Sequence, residues 1–176
     1  ERGSLNIRDV LKQPFELSLY TAINLLDKVK HKIPMGIEFD TDSNLPIGCG
    51  LGSSASSVVS MIKALAQLLE MNMSLDDYVR LAVESETLQQ GISSGWEDQV
   101  SYQGGALFDQ QGRFEKRDIP QIPFTLIHTG PPRSTTGECV AHVKKQFLNT
   151  SIGEAFASVT NALDTALSKN DLDAVK

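Results

Sequence analysis

Between Phe15 and Lys28 the apolar residues Leu17, Leu19, Ala22, Ile23, Leu25 and Leu26 recur at close to helical spacing before a charged end, which predicts a helix. Gly36 to Thr41 then alternates apolar with polar residues, the period of a strand. From Ser53 to Met71 the helical pattern returns, and Ala55, Val58, Val59, Ile62, Leu65, Ala66 and Leu69 cover nearly its whole circumference. Such a helix is expected to be buried. Ser74-Leu75-Asp76-Asp77 has the spacing of a capping box with Asp in place of Glu. It opens a further helix that runs to about Gln90, with Gly91 as its natural stop.

Further along, Gly104 to Phe108 reads as a turn into a strand, and Asp109 to Gly112 as a polar hairpin turn before Arg113-Phe114-Glu115. The polar, proline-punctuated stretch from Glu115 to Pro123 is a candidate domain boundary. Beyond it, Phe124 to His128 reads as a strand, Thr129 to Gly137 as a loop, Glu138 to Leu148 as a helix and Ile152 to about Lys169 as the last helix. No internal repeat or low-complexity tract interrupts this order.

Composition narrows the class of partner. The chain has 176 residues, 40% of them apolar and 22% charged, enough to bury a sizeable core. Its net charge of −6 comes with no long basic run, which argues against nucleic acid and against a membrane surface as partners. A small molecule fits better. The two cysteines, Cys49 and Cys139, have neither zinc-site nor redox-pair spacing, so free thiols in a reducing cytoplasm are expected. No stretch approaches the roughly 20 apolar residues of a membrane span. The start, Glu1-Arg2-Gly3-Ser4, carries neither a signal-peptide pattern nor an initiator methionine, so residues upstream are expected.

The sharpest chemical feature is the loop Pro46-Ile47-Gly48-Cys49-Gly50-Leu51-Gly52-Ser53-Ser54-Ala55, set directly before the apolar helix. Three alternating glycines let the backbone turn tightly and aim several N–H groups at one point. The helix behind adds the positive end of its dipole, and the combination is an anion site suited to phosphates. Ser53 and Ser54 add hydroxyls that can cap the helix, bind phosphate oxygens or sit on magnesium. No Lys follows the glycines, so the loop is not a Walker A motif, and the G-x-G-x-G spacing is not a dinucleotide fingerprint. A plain glycine turn with a serine cap is the competing reading.

Downstream lie three acids. Val79, Val83 and Glu86 fall on one helical stripe, so a carboxylate ends an apolar line. A partly buried acid there needs a cation or a donor, unless it turns out to water near the helix end. The loop Gly91 to Gln99 then places Glu97 and Asp98 beside the only tryptophan, Trp96. Such acids are ordinarily solvated, but phosphoryl transfer to a hydroxyl needs one carboxylate to orient or deprotonate that hydroxyl and another group to hold magnesium. A third loop, Thr129 to Gly137, is rich in hydroxyls and carries Arg133, which can meet a phosphate or carboxylate in a forked geometry. His31 is expected at the surface, and His128 and His142 have no sequence neighbours that would make a metal site.

These features, in this order, resemble the GHMP kinase superfamily of galactokinase, homoserine kinase, mevalonate kinase and phosphomevalonate kinase. Pro46 to Ala55 looks like its second signature, P-x3-G-L-G-S-S-A. Within the superfamily the chain looks most like the mevalonate kinases, because Thr129 to Thr135 reads T-x-x-P-R-x-T. The resemblance implies an α+β fold of two domains, present here as its central part. Residues 1–115 would form most of the N-terminal, ATP-binding domain and 123–176 the start of the C-terminal one. It implies ATP and Mg2+ as cofactors, with Pro46, Gly48, Gly50, Leu51, Gly52, Ser53, Ser54 and Ala55 on the nucleotide. Ser54 and Glu86 would hold the metal, and Thr135 would contact the acceptor or support the catalytic acid. Counted from Ser94-Gly95, the mevalonate kinase acid falls on Glu97, whereas the Asp-Gln pattern of sugar and sugar-phosphate kinases falls on Asp98. Asp98 is the expected catalytic residue, since its type is right and Gln99 follows it.

The expected activity is transfer of the γ-phosphoryl group of ATP to a small hydroxylated acceptor, with mevalonate first and a sugar or sugar phosphate as the alternative. A family member that binds ligand without turnover, or one that decarboxylates after phosphorylation, remains open. A cytoplasmic enzyme, with a homodimer as one oligomeric option, completes the expectation. The family's first and third signatures are absent from the sequence, so the chain is expected to be a fragment with little or no kinase activity alone.

Overall fold

The computed structural model describes residues 16–29, 37–130, 133–147 and 151–175. Phe15, His31, Gly36, Pro131, Pro132 and Leu148, which figure in the readings above, lie outside the described residues. The chain divides into two compact units, Glu1–Gln103 and Gly104–Lys176.

The first unit is helical among its described residues: α1 (Glu16–Val29), α2 (Ser53–Leu68), α3 (Leu75–Gln90) and α4 (Trp96–Gln103). Helix α2 is the hub and packs against the other three. Its Val58, Val59, Met61, Ile62, Leu65 and Ala66 meet Ala22 and Leu25 of α1 and Tyr78, Leu81 and Ala82 of α3 in one core. Leu25, Ile62 and Leu65 are at most 2% exposed, and burying such side chains contributes about 1.5–3 kcal/mol each. Two buried hydroxyls are satisfied within their own helices, Thr21 donating to Leu17 O at 2.7 Å and Ser85 to Leu81 O at 2.8 Å.

The expectation of an α2 buried all round needs correction. Ser57, Ser60, Lys63, Ala64, Gln67 and Leu68 face water, because the polar residues of the helix gather on that side. The helix also ends at Leu68 rather than near Met71. Glu70 takes a left-handed φ of 50°, and Met71 N then donates to Ala66 O at 2.8 Å and Glu70 N to Gln67 O at 3.2 Å. This paired closure turns the chain out of the helix and sends Met71 back against the core. At the start of α3 the capping box forms in both directions, with Asp77 N donating to Ser74 Oγ at 3.2 Å and Ser74 N to Asp77 at 3.3 Å. Gly91, at φ 81°, ends α3 as expected.

Two predicted strands are absent among the described residues. Residues 37–41 and 124–128 have no regular secondary structure. Alternation marks a segment able to pair, but a strand exists only where a neighbour supplies the ladder, and among the described residues the sole ladder joins β1 to β2.

The second unit holds that hairpin, β1 (Ala106–Gln110) and β2 (Arg113–Arg117), followed by α5 (Thr136–Phe147) and α6 (Ile152–Ser168). The strands pair antiparallel with Phe108 opposite Glu115. Their two-residue turn has positive φ at both Gln111 (55°) and Gly112 (84°), which suits the twist of a tight hairpin. Arg117 donates to Asp164 of α6 at 2.7 and 3.3 Å and to Glu115 at 2.8 Å, and stacks 4.9 Å from the Phe108 ring centre. Among the described residues no helix is long and apolar enough to cross a membrane.

Candidate active site

The loop from Pro46 to Gly52 reaches α2 through three left-handed glycines, Gly48 (φ 73°), Gly50 (73°) and Gly52 (66°). A Cβ added at Gly50 or Gly52 would meet nothing within 4 Å. Backbone conformation, not space, therefore requires glycine here. Gly52 caps α2 with no side-chain hydrogen bond among the described residues, and the first turn carries no acidic residue. The first turn at Ser53, Ser54 and Ala55 thus presents the positive end of the helix dipole with no acid of its own to offset it, which favours an anion there. Ala55 is fully buried and seats this turn, while Pro46, Gly48, Gly50 and Leu51 are exposed.

Behind the loop lies a pair of buried acids. Glu86, near the end of α3, is 3% exposed and Asp98, in the first turn of α4, is 0% exposed. Ser54 Oγ donates to Glu86 Oε1 at 2.7 Å, and Ser93 Oγ donates to Glu86 Oε2 at 2.8 Å. One carboxylate is thereby gripped from the phosphate-type loop on one side and from the segment before α4 on the other. Neither oxygen of Asp98 has a hydrogen-bond partner among the described residues. Burial pushes the Asp98 carboxyl up to about 7, and the negative charges of Glu86 and Glu97 add to the rise.

Asp98 stands on a helix where the sequence reading expected a loop. The missed signal is Ser94-Gly95-Trp96-Glu97, a capping-box spacing. Gln99 N donates to Gly95 O at 3.1 Å and Trp96 N to Ser94 Oγ at 3.4 Å as the helix begins. Gly95 is buried at φ 77°, and a Cβ there would come within 3.0 Å of Val83 Cγ2, so glycine lets the start of α4 press onto α3. At the other end, Lys63 of α2 donates to Tyr102 O at 3.0 Å and lies 4.3 Å from the Tyr102 ring centre. Tyr102 in turn packs on Tyr78 of α3 at 4.6 Å between ring centres. With α4 held at both ends, the first turn sends Asp98 inward and leaves Glu97 exposed.

Thr135 belongs to the second unit and caps α5. Its Oγ1 accepts from Glu138 N at 3.3 Å, and its N–H donates to Glu138 Oε2 at 2.8 Å. This reciprocal cap explains why α5 starts at Thr136, two residues before the expected start. It also lowers the Glu138 carboxyl below its usual range, chiefly through the bond from the Thr135 backbone. Arg133 is exposed.

Among the described residues no three His, Cys, Asp or Glu side chains cluster as a metal site. Magnesium asks for less from a protein, because one or two side-chain oxygens suffice when phosphates supply others. Ser54 and Glu86 present a hydroxyl and a carboxylate in contact, beside a second acid with no partner to balance it. That donor set fits the ion.

Residues 18–105 match the family model described as the GHMP kinases N terminal domain. The chain is similar to the mevalonate kinase of Pyrococcus furiosus, 36% identical over 156 residues that make up 85% of this chain and 46% of the relative. It is likewise similar to the mevalonate kinase of Pyrococcus horikoshii, 35% identical over 76% of this chain and 42% of the relative. It spans about half the length of these curated relatives. The solved Methanococcus jannaschii mevalonate kinase shares its fold, with a TM-score of 0.69 at 23% identity over 93% of this chain and 54% of that one. A family model that covers half of the sequence, in a span that contains the glycine loop and the two buried acids, settles the lineage: the chain belongs to the GHMP kinases.

Proposed function

We propose that this chain supplies the phosphate loop, metal ligands and catalytic acid of an ATP-dependent kinase that phosphorylates a small hydroxylated acceptor, with mevalonate as the first candidate. The observation that carries the reading is the contact of Ser54, in the first turn of α2, with Glu86, beside the unpartnered Asp98. In this account residues 1–115 form most of the nucleotide-binding domain and 123–176 open the second domain, to which Thr135 and Arg133 belong. The two free thiols, Cys49 and Cys139, suit the cytoplasm.

Each residue has a task that follows from its chemistry. The N–H groups of the Gly48–Gly52 loop and the first turn of α2 hold phosphate oxygens. Ser54 and Glu86 hold magnesium, which when bound neutralises charge on the nucleotide phosphates. Asp98 orients the acceptor hydroxyl and takes its proton, and a carboxyl raised to about 7 is matched to that task near neutral pH.

The burial of Asp98 and exposure of Glu97 favour a second reading, because Asp98-Gln99 is the spacing that resembles sugar and sugar-phosphate kinases. Relatives point one way and this spacing the other. A coupled ADP-release assay on the intact protein, with mevalonate, phosphomevalonate, galactose, homoserine and heptose phosphates as acceptors, decides. Turnover with mevalonate is expected. Turnover with a sugar or its phosphate alone moves the assignment to the second reading, and nucleotide binding with no turnover on any acceptor contradicts both.

A further inference from the structure

Ser93 lay in the sequence as one serine of a loop, yet its hydroxyl is a junction. It donates to Glu86 Oε2 at 2.8 Å and accepts from Gly95 N at 3.3 Å. A hydroxyl can do both at once, since its single hydrogen goes to the carboxylate and a lone pair takes the amide. Gly95 is the residue whose carbonyl starts α4 and whose missing side chain lets that helix close on α3. One oxygen atom therefore ties the carboxylate of Glu86 to the foundation of the helix that carries Asp98.

We infer that Ser93 is a positioning residue that fixes the orientation of Glu86 toward the metal and sets it in register with Asp98. The inference rests on the reading of Glu86 as a magnesium ligand. With Oε1 facing Ser54 and Oε2 held by Ser93, the carboxylate has one rotation in which an oxygen points to the loop. Without the Ser93 hydroxyl, Oε2 of a carboxylate 3% exposed loses the donor that Ser93 supplies, and the bond from Ser54 to Oε1 is left to orient the group. Groups that hold a metal ligand in place change metal affinity by about 10–100-fold when removed, which is the scale expected here.

The test is calorimetric binding of ADP to the intact protein across a magnesium series, with melting temperature in EDTA as the folding control. Ser93→Ala is expected to raise the half-saturating magnesium concentration about 10-fold, with ADP affinity largely recovered at saturating metal. Ser93→Thr, which keeps the hydroxyl, should stay near the parent, and Ser93→Val, its equal in shape, should follow Ser93→Ala. This second pair carries the test if Ser93→Ala does not fold. Ser94→Ala removes a hydroxyl that accepts from Trp96 N rather than donating to Glu86, and it should match the parent. Parent-like magnesium dependence in Ser93→Ala and Ser93→Val alongside a shifted Glu86→Gln overturns the role of Ser93 alone. Parent-like dependence in Glu86→Gln as well overturns the metal reading, and the role of Ser93 with it.

Discussion

In Glu1–Gln103, among the described residues, α1, α2 and α3 share a core whose central residues, Val58 and Ile62, are fully buried, with Tyr102 of α4 packed against it, and the candidate site grows directly out of it. In Gly104–Lys176 Ala166 alone among the described residues is a buried apolar side chain. Helix α6 there shows Phe156 at 63% and Val159 at 69% exposure, and the unit is tied by Arg117 to Asp164 and by the Phe147–Phe156 ring contact at 5.6 Å. Both units contain amphipathic helices. Among the described residues the first buries its apolar stripes far more fully than the second, and tight burial is what can hold two acids close without letting water in. The position of Asp98 is thus a packing result, whereas Thr135 and Arg133 sit on a surface segment whose geometry depends on local caps.

The contrast can be broken by substitutions in this chain. The largest effect is expected for Leu65→Ala, which leaves a cavity in the shared core and should cost about 2–5 kcal/mol in urea unfolding. A smaller effect is expected from Asp98, and its size depends on pH. Its folded carboxyl is raised from 3.8 to about 7, so between those values the folded state keeps a proton that the unfolded chain has lost. The fold therefore loses stability as pH rises through that window. Asp98→Asn removes the loss, and in EDTA at pH 8 it should be more stable than the parent by about 1–3 kcal/mol, the gain fading by pH 4. A gain that does not change with pH would show that Asp98 is not held protonated by burial. The smallest effect belongs to the second unit, where Val159→Ala on the exposed face of α6 should change stability by less than about 0.5 kcal/mol. A cost near that of Leu65→Ala would abolish the distinction between the units.

Legibility from sequence followed the same division between local and non-local causes. Helices α1, α2 and α3 were readable because period, cap and stop all lie within a few residues, as Ser74, Asp77 and Gly91 show. Residues 37–41 and 124–128 were misread because alternation says nothing about whether a neighbour is present to complete a ladder. Helix α4 is hard to read although Ser94 and Glu97 have capping spacing, because Gly91 and Gly95 suggest a loop throughout. Ser54, Glu86 and Asp98 stand out as candidates by residue type and order, and the structure places Ser54 on Glu86. Ser93 does not, since a serine among serines carries no periodic signal, and only the folded backbone brings it to Glu86.

The central claim is that burial selects Asp98, not its neighbour Glu97, for chemistry. Turnover of the intact protein carrying Asp98→Asn or Glu97→Gln tests it most directly, with nucleotide binding as the control. The account predicts that Asp98→Asn lowers kcat by about 10²-fold or more, the scale of a lost general base, with nucleotide affinity nearly unchanged, and that Glu97→Gln is mild. A severe loss in Glu97→Gln with near-normal turnover in Asp98→Asn would contradict it.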